Sequence, residues 1–235
     1  LCMRGENMEI KKEKLMNLWY RYRHFILLSL YGVCQIWFYY CERTIRPKYF
    51  MYSPLDSYIP FIKIFVLPYL YWFIYMAIGF LYLGMVSKKD YYRLCWFIFG
   101  GMCICYALYM IFPNAQNLRP VIVEDDIFSR MIKHIYSTDT NTNVAPSIHV
   151  LNSIAVHVAL VNCEEFKKES KIWRWLSFIS AVLISLSTVF IKQHSIKDVM
   201  WAALLATVLY IAIYKVPSFI SKKDFYATDA KKTSL

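Results

Sequence analysis

Residues 64–87 read IFVLPYLYWFIYMAIGFLYLGMVS, a stretch without a single charged side chain. A helix that crosses a bilayer needs roughly 17–25 predominantly apolar residues, and this stretch is long enough. Phe25–Tyr40, Leu94–Leu118, Val144–Cys163, Trp175–Ile191 and Val199–Tyr214 are likewise uncharged. The first and last of these are shorter, but Lys and Arg at their ends can snorkel to the interface. The whole chain is 58% hydrophobic and 18% aromatic, where a soluble domain is about 45–50% apolar. The expectation is an all-α, polytopic membrane protein with six transmembrane helices in one domain over 24–215. A charged cytoplasmic lead-in, 1–23, precedes it as an amphipathic helix lying on the membrane, and a polar cytoplasmic tail, 216–235, follows.

The formal net charge of +11 would suggest nucleic acid if its distribution were ignored. Eighteen Lys and Arg fall in the N-terminal tail, the second-to-third and fourth-to-fifth connections and the C-terminal tail. Eight fall in the other three connections, and Lys63 borders a span. That asymmetry is the positive-inside pattern, with both termini cytoplasmic in a plasma (cytoplasmic) membrane. The basic excess therefore reports topology and contact with anionic head groups, and excludes a nucleic-acid partner.

The seven cysteines show no CxxC spacing, and Cys34, Cys95, Cys103 and Cys105 lie inside apolar runs, where a reduced thiol packs as a small hydrophobe. The N-terminal tail is charged and mixed, with no cleavable signal pattern. Residues 113–145 are expected to form a long polar loop, and Lys88-Lys89-Asp90 a short basic connection.

Counting spans places three polar junctions on the face opposite the basic loops. They are Arg119-Pro120, Pro146-Ser147-Ile148-His149, and His194 with Asp198. Pro and Ser suit the start of a helix, whose free N–H groups and partial positive charge favour an anion. His149 falls in that first turn. His194 and Asp198 are four residues apart, so they share a helical face or bridge a helix start. A carboxylate on one ring nitrogen fixes the tautomer and leaves the other more nucleophilic. One histidine to attack and one to protonate a leaving group can transfer a phosphoryl group without metal or cofactor.

These segments resemble the signature of the type 2 phosphatidic acid phosphatase (PAP2) superfamily of membrane lipid phosphatases. Its motifs are a Lys ahead of Arg-Pro, a Pro-Ser-Gly-His, and a Ser-Arg followed by His and Asp. Here they read Arg119-Pro120, Pro146 to His149 with Ile148 in place of Gly, and Ser187, His194 and Asp198. The six-span layout matches as well, so the resemblance covers nearly the whole chain. It implies a PAP2-like helical bundle and a phosphate-bearing lipid substrate. In this reading His194 attacks phosphorus, Asp198 orients it, and His149 protonates the leaving oxygen. Arg119, Ser147 and Ser187 would hold phosphate oxygens.

Two positions depart from the pattern. Phe112 stands where the Lys is expected and Thr188 where the Arg is, and Lys192 is the candidate to restore one charge. Sphingolipid head-group transferases, similar to this superfamily, also keep two histidines and an aspartate while relaxing the cations. A head-group phosphotransferase is therefore the alternative to a lipid phosphatase, and a catalytically silent lipid-binding or transport protein the third reading. Of the other polar residues, His157 is expected between helices. His24 and His134 are expected at interfaces or loops, and Asp125, Asp126 and Asp139 as solvated loop charges matching no metal motif.

Overall fold

The computed structural model describes residues 2–217. Helix α1 (Cys2–Tyr22) runs through a 3-10 turn at Arg23–Leu28 into α2 (Ser29–Thr44). There follow α3 (Val66–Val86), α4 (Lys88–Ile111), α5 (Ile127–Thr138), α6 (Ile148–Asn162), the short α7 (Glu164–Lys168), α8 (Lys171–Phe190) and α9 (Ile196–Tyr210). A π turn at Ile211–Lys215 continues α9, and the tail expected over 216–235 lies outside the described residues from 218 onward. The all-α expectation holds.

Among the described residues, five stretches are long and apolar enough to cross a membrane: Lys12–Thr44, Lys63–Val86, Lys88–Ile111, Lys171–Phe190 and Ile196–Lys215. Their outward faces carry large apolar side chains such as Ile74, Ile78, Leu81, Leu183, Leu204 and Val208. A helix apolar on its outer face as well as its inner one belongs in lipid. The remaining apolar helix, α6, has 15 residues. It packs against α3, α4, α8 and α9, with Leu151, Ala155, Val156 and Ala159 fully buried, so protein rather than lipid surrounds much of it.

Small residues let the helices approach that central one, the usual means of packing where lipid removes any hydrophobic drive between helices. A Cβ added to Gly79 of α3 would meet Val156 Cγ1 at 2.7 Å, and one on Gly101 of α4 would meet Leu151 Cδ2 at 2.9 Å. His157 of α6 binds Ser177 Oγ of α8 at 3.0 Å, which makes it the interhelical histidine expected. His24 is not an interfacial residue. It is 4% exposed, and its Nε2 joins Gly84 O at 2.8 Å, where α2 begins beside the end of α3.

Several boundaries differ from the uncharged runs, each for a local reason. α4 stops at Ile111 because Phe112 precedes Pro113 and takes a non-helical conformation. Residues Lys88–Asp90 are the first turn of α4, not a connection, since Ser87 closes α3 and its Oγ accepts from Asp90 N. α6 begins at Ile148 because Asn143 turns the chain at φ 53 and Asn114 Oδ1 captures the amides of Val144 and Ala145 at 2.9 and 2.8 Å. The expected polar loop contains a helix, α5, whose Phe128, Met131, Ile132 and Ile135 pack on Val66, Tyr69 and Ile191. Asp126 N-caps that helix through Phe128 N and Ser129 N and is bridged by Lys63 at 2.6 Å.

The loops at this end are tied together. Strand β1 (Tyr49–Phe50) pairs in parallel with β2 (Asn114–Ala115). Glu42, at the end of α2, accepts from Thr142 Oγ1 at 3.2 Å and Asn143 Nδ2 at 3.1 Å.

The glycine contacts give opposite expectations for one substitution. Gly79→Ala should lower stability by about 1–3 kcal/mol through overpacking against Val156. Gly100→Ala, with nothing within 4 Å, should be neutral or raise stability by up to about 1 kcal/mol through helix propensity. Thermal unfolding in detergent reads both, and equal shifts would contradict this packing.

Candidate active site

The site is assembled where α8 ends and α9 begins. Lys192 takes the left-handed conformation, φ 57, and reverses the chain. Thr188 O then collects the amides of Gln193 and His194 at 2.9 and 3.0 Å, closing the last turn of α8 in the manner of an αL cap. Ser195 and Asp198 form a capping box that starts α9, with Ser195 N donating to Asp198 Oδ2 at 2.9 Å. His194 is fixed between these two caps. Its Nδ1 meets the same Oδ2 at 3.3 Å, so Nε2 is the ring nitrogen free to face a substrate.

The second histidine comes from α6. Ser147 N-caps this helix, with Oγ accepting from Val150 N at 3.5 Å, while its own amide donates to Asp198 O at 3.2 Å. Tyr109 Oη binds Pro146 O at 2.6 Å from α4. His149 lies against Tyr69 and Trp72 of α3, with ring centroids at 4.5 and 4.6 Å. Its ring is 6.2 Å from that of His194, and both line one cavity of about 380 Å³. The remaining wall mixes aromatic side chains, Tyr31, Phe38, Tyr106 and Tyr109 among them, with polar ones, including His134 of α5, Thr138, Thr140 and Asn143. Gln35 and Phe73 line it too and are exposed, so the cavity opens on the flank between α2 and α3.

Of the residues expected to hold phosphate, Ser147 caps α6 as described. Ser187 is fully buried and its hydroxyl donates to Ile184 O at 2.6 Å. Arg119 donates to the carbonyls of Tyr136, Asp139 and Thr140 at 3.2, 2.9 and 2.7 Å, and its guanidinium lies 4.5 Å from the Tyr136 ring. It thus closes the C-terminal end of α5, where exposed carbonyls favour a cation. Lys192 Nζ donates to Asp56 O and Ile59 O at 2.9 and 2.6 Å, and burial lowers the pKa of this amine. Neither cation lines the cavity. Phe112 stacks on Tyr49 at 4.2 Å, and Thr188 is buried with its hydroxyl on Ser185 O.

One cavity residue corrects a reading from sequence. Asp139 is not a solvated loop charge: it lines the cavity beside Gln193, whose Nε2 donates to its Oδ2 at 3.3 Å. Burial, with the Glu42 carboxylate adding to it, pushes the Asp139 carboxyl up to about 6 against the pull of His194 and Arg119. No spacing in the sequence marks Asp139, because its neighbours come from α2, α3 and the α8–α9 turn. Asp126, by contrast, is held low by Lys63 and Ser129 outside the cavity.

At the opposite end of the bundle, Asp90, Cys163 and Glu165 bring potential metal-ligand atoms within 4.8 Å of one another. Asp90 is already engaged there by Arg93 and by Ser87. Cys34, Cys41, Cys95, Cys105 and Cys163 are buried free thiols.

No curated protein and no solved structure matches the chain. A family model does: that of the PAP2 superfamily matches residues 90–222, more than half of the chain and every motif position from Phe112 to Asp198. The chain therefore belongs to the PAP2 superfamily, a family of phosphatase-type phosphoester hydrolases, and its apolar helices make it an integral membrane protein.

Proposed function

We propose that this chain is a lipid phosphatase working through a phosphohistidine at the extracytoplasmic leaflet. The observation that carries the reading is the pair of histidines on one cavity wall, one of them braced by a buried carboxylate. His194 Nε2 attacks phosphorus, an N–P bond forms, and the bond to the leaving oxygen breaks as His149 gives that oxygen a proton. In the second half His149 takes a proton from water, the oxygen attacks phosphorus, and the N–P bond breaks to release phosphate. Asp198 holds His194 in the Nδ1–H tautomer and stabilises the charged ring that forms. The α6 N-terminus supplies partial positive charge to the phosphoryl oxygens. The chain's own residues cover both proton transfers, so the proposed reaction is metal-independent.

The aromatic flank opening supports a lipid substrate, since an acyl chain can stay in the membrane while its phosphate meets the histidines. A head-group phosphotransferase is favoured by one observation, the engagement of Arg119 and Lys192 by carbonyls. A cavity walled without Lys or Arg compensates one negative charge more readily than two, and a diester carries one where a monoester carries nearly two. An alcohol acceptor in place of water then completes the same second half-reaction.

In this reading α6 is the sixth crossing and both termini are cytoplasmic, as the Lys and Arg asymmetry supports. Impermeant thiol reagents added outside cells should label cysteines placed at Val121 or Val123, which are 92% and 88% exposed. They should miss a cysteine at Lys168. The reverse pattern overturns the orientation.

His194→Ala should abolish turnover and any trapped phosphoenzyme. His149→Ala should slow the reaction severely while still permitting phosphorylation from a substrate whose leaving group needs no proton. Asp198→Asn should lower kcat by roughly 10²–10⁴-fold, the range seen when a triad loses its orienting carboxylate. Activity should persist in EDTA. Loss of activity on chelation, restored by a divalent metal, would sink the metal-independent step.

A further inference from the structure

The cavity holds a carboxyl group close to a phosphate site. Asp139 makes no salt bridge among the described residues: Arg119 addresses its backbone carbonyl, and Gln193 Nε2 binds its Oδ2 at 3.3 Å. Gln193 precedes the proposed nucleophile in the chain, so the carboxylate lies one hydrogen bond away from the residue next to His194. The Gln193 Oε1 atom is buried without a donor and offers a second acceptor in the same wall. Tyr69, Tyr109 and other aromatic side chains share the lining with His134, Thr138, Thr140 and Asn143, and among the described residues no Lys or Arg contributes to it.

A carboxylate in such a place opposes an anionic ligand unless the ligand brings a positive group of its own. At neutral pH Asp139 is mainly ionised, because its carboxyl titrates near 6. Carboxylate beside aromatic faces is the combination that recognises ammonium groups, through charge and through attraction to the ring faces. In an ethanolamine or choline ester only an ethylene spacer separates nitrogen from phosphate ester oxygen, and Gln193, bonded to Asp139, is the residue next to His194.

We infer that Asp139, with Gln193 and the aromatic wall, forms a subsite for the ammonium of a zwitterionic phospho-head-group. This rests on the phosphoryl-transfer reading of the same cavity and names its substrate class. Two acceptors, Asp139 and Gln193 Oε1, favour an ammonium with N–H donors, so ethanolamine esters bind more tightly than choline esters.

The test measures binding and turnover separately, on purified full-length protein in detergent. Binding uses the His194→Ala variant and single-chain phosphoesters of one chain length. Their head groups are ethanolamine, N-acetylethanolamine, choline, glycerol and inositol, with the plain phosphomonoester as a further probe. The ethanolamine ester should bind at least about tenfold more tightly than its N-acetyl form, which loses the charge, and the choline ester, which matches the N-acetyl form in size and keeps the charge, should also bind more tightly than that form. Asp139→Asn in that background should erase the preference while tightening the glycerol ester and the monoester, and Asp139→Glu should retain it. Equal binding of the ethanolamine ester and its N-acetyl form overturns the inference, even where Asp139→Asn fails to fold. Tighter binding of the inositol or glycerol ester overturns it as well, by making Asp139 a hydroxyl acceptor. Turnover of the same esters by the unmodified protein separates the two readings. Ammonium-selective binding without turnover keeps the subsite and removes the phosphoryl transfer. Turnover without head-group preference does the reverse.

Discussion

One residue, Asp198, ties the two halves of the site together. Asp198 Oδ2 holds Ser195 N at 2.9 Å, which starts α9, and His194 Nδ1 at 3.3 Å, which aims the imidazole. Its backbone carbonyl takes Ser147 N at 3.2 Å, which fixes the first turn of α6 and with it His149. Its other oxygen, Oδ1, is buried and has no partner. A buried carboxylate is tolerated only to the extent that donors surround it, so this residue depends on His194 as much as His194 depends on it. Moving the histidines apart breaks the Ser147 N–Asp198 O bond that joins the starts of α6 and α9.

The same economy explains where the cations went. Loops at the end of a membrane bundle must satisfy their own backbone groups, and here side chains do much of that work. Asp56 accepts from Ser53 N, Ser195 Oγ and Ile196 N, while Asn114 binds both amides that precede Pro146. Arg119 and Lys192 belong to this group, holding three and two carbonyls respectively. Each such bond contributes on the order of 1 kcal/mol or more, and a buried carbonyl left without a donor costs more than that. Drawing either cation to a phosphate would unfasten α5 or the 56–59 loop first.

Much of this was legible in the chain. The uncharged runs marked α2, α3, α4, α6, α8 and α9, because lipid leaves a helix no polar surface to show and the signal is local. Pro146 to His149 and His194 to Asp198 marked the two histidines proposed to react for the same reason: each motif is a cap plus the residue the cap positions. Helix α5 was missed although Phe128, Met131, Ile132 and Ile135 repeat at helical spacing, since twelve residues between the acidic Glu124-Asp125-Asp126 and Asp139 read as loop beside long uncharged runs. Asp139 could not be read at all. Its place in the cavity depends on Arg119 gripping its carbonyl and on Gln193 arriving from fifty-four residues away. His24 was misjudged because a histidine at the edge of a run looks exposed until its partner, the Gly84 carbonyl sixty residues on, is in place.

The charge balance of the cavity joins the reaction to its substrate. With no Lys or Arg in the wall among the described residues, a phosphoryl group entering it meets three imidazoles, those of His134, His149 and His194, a helix N-terminus and one carboxyl. Partial charges at a helix end compensate about half an elementary charge, which falls short of a monoester's nearly two negative charges and further short once Asp139 is ionised. A zwitterionic ester enters with its own counter-charge, so the carboxyl that would repel a bare phosphate becomes a contact.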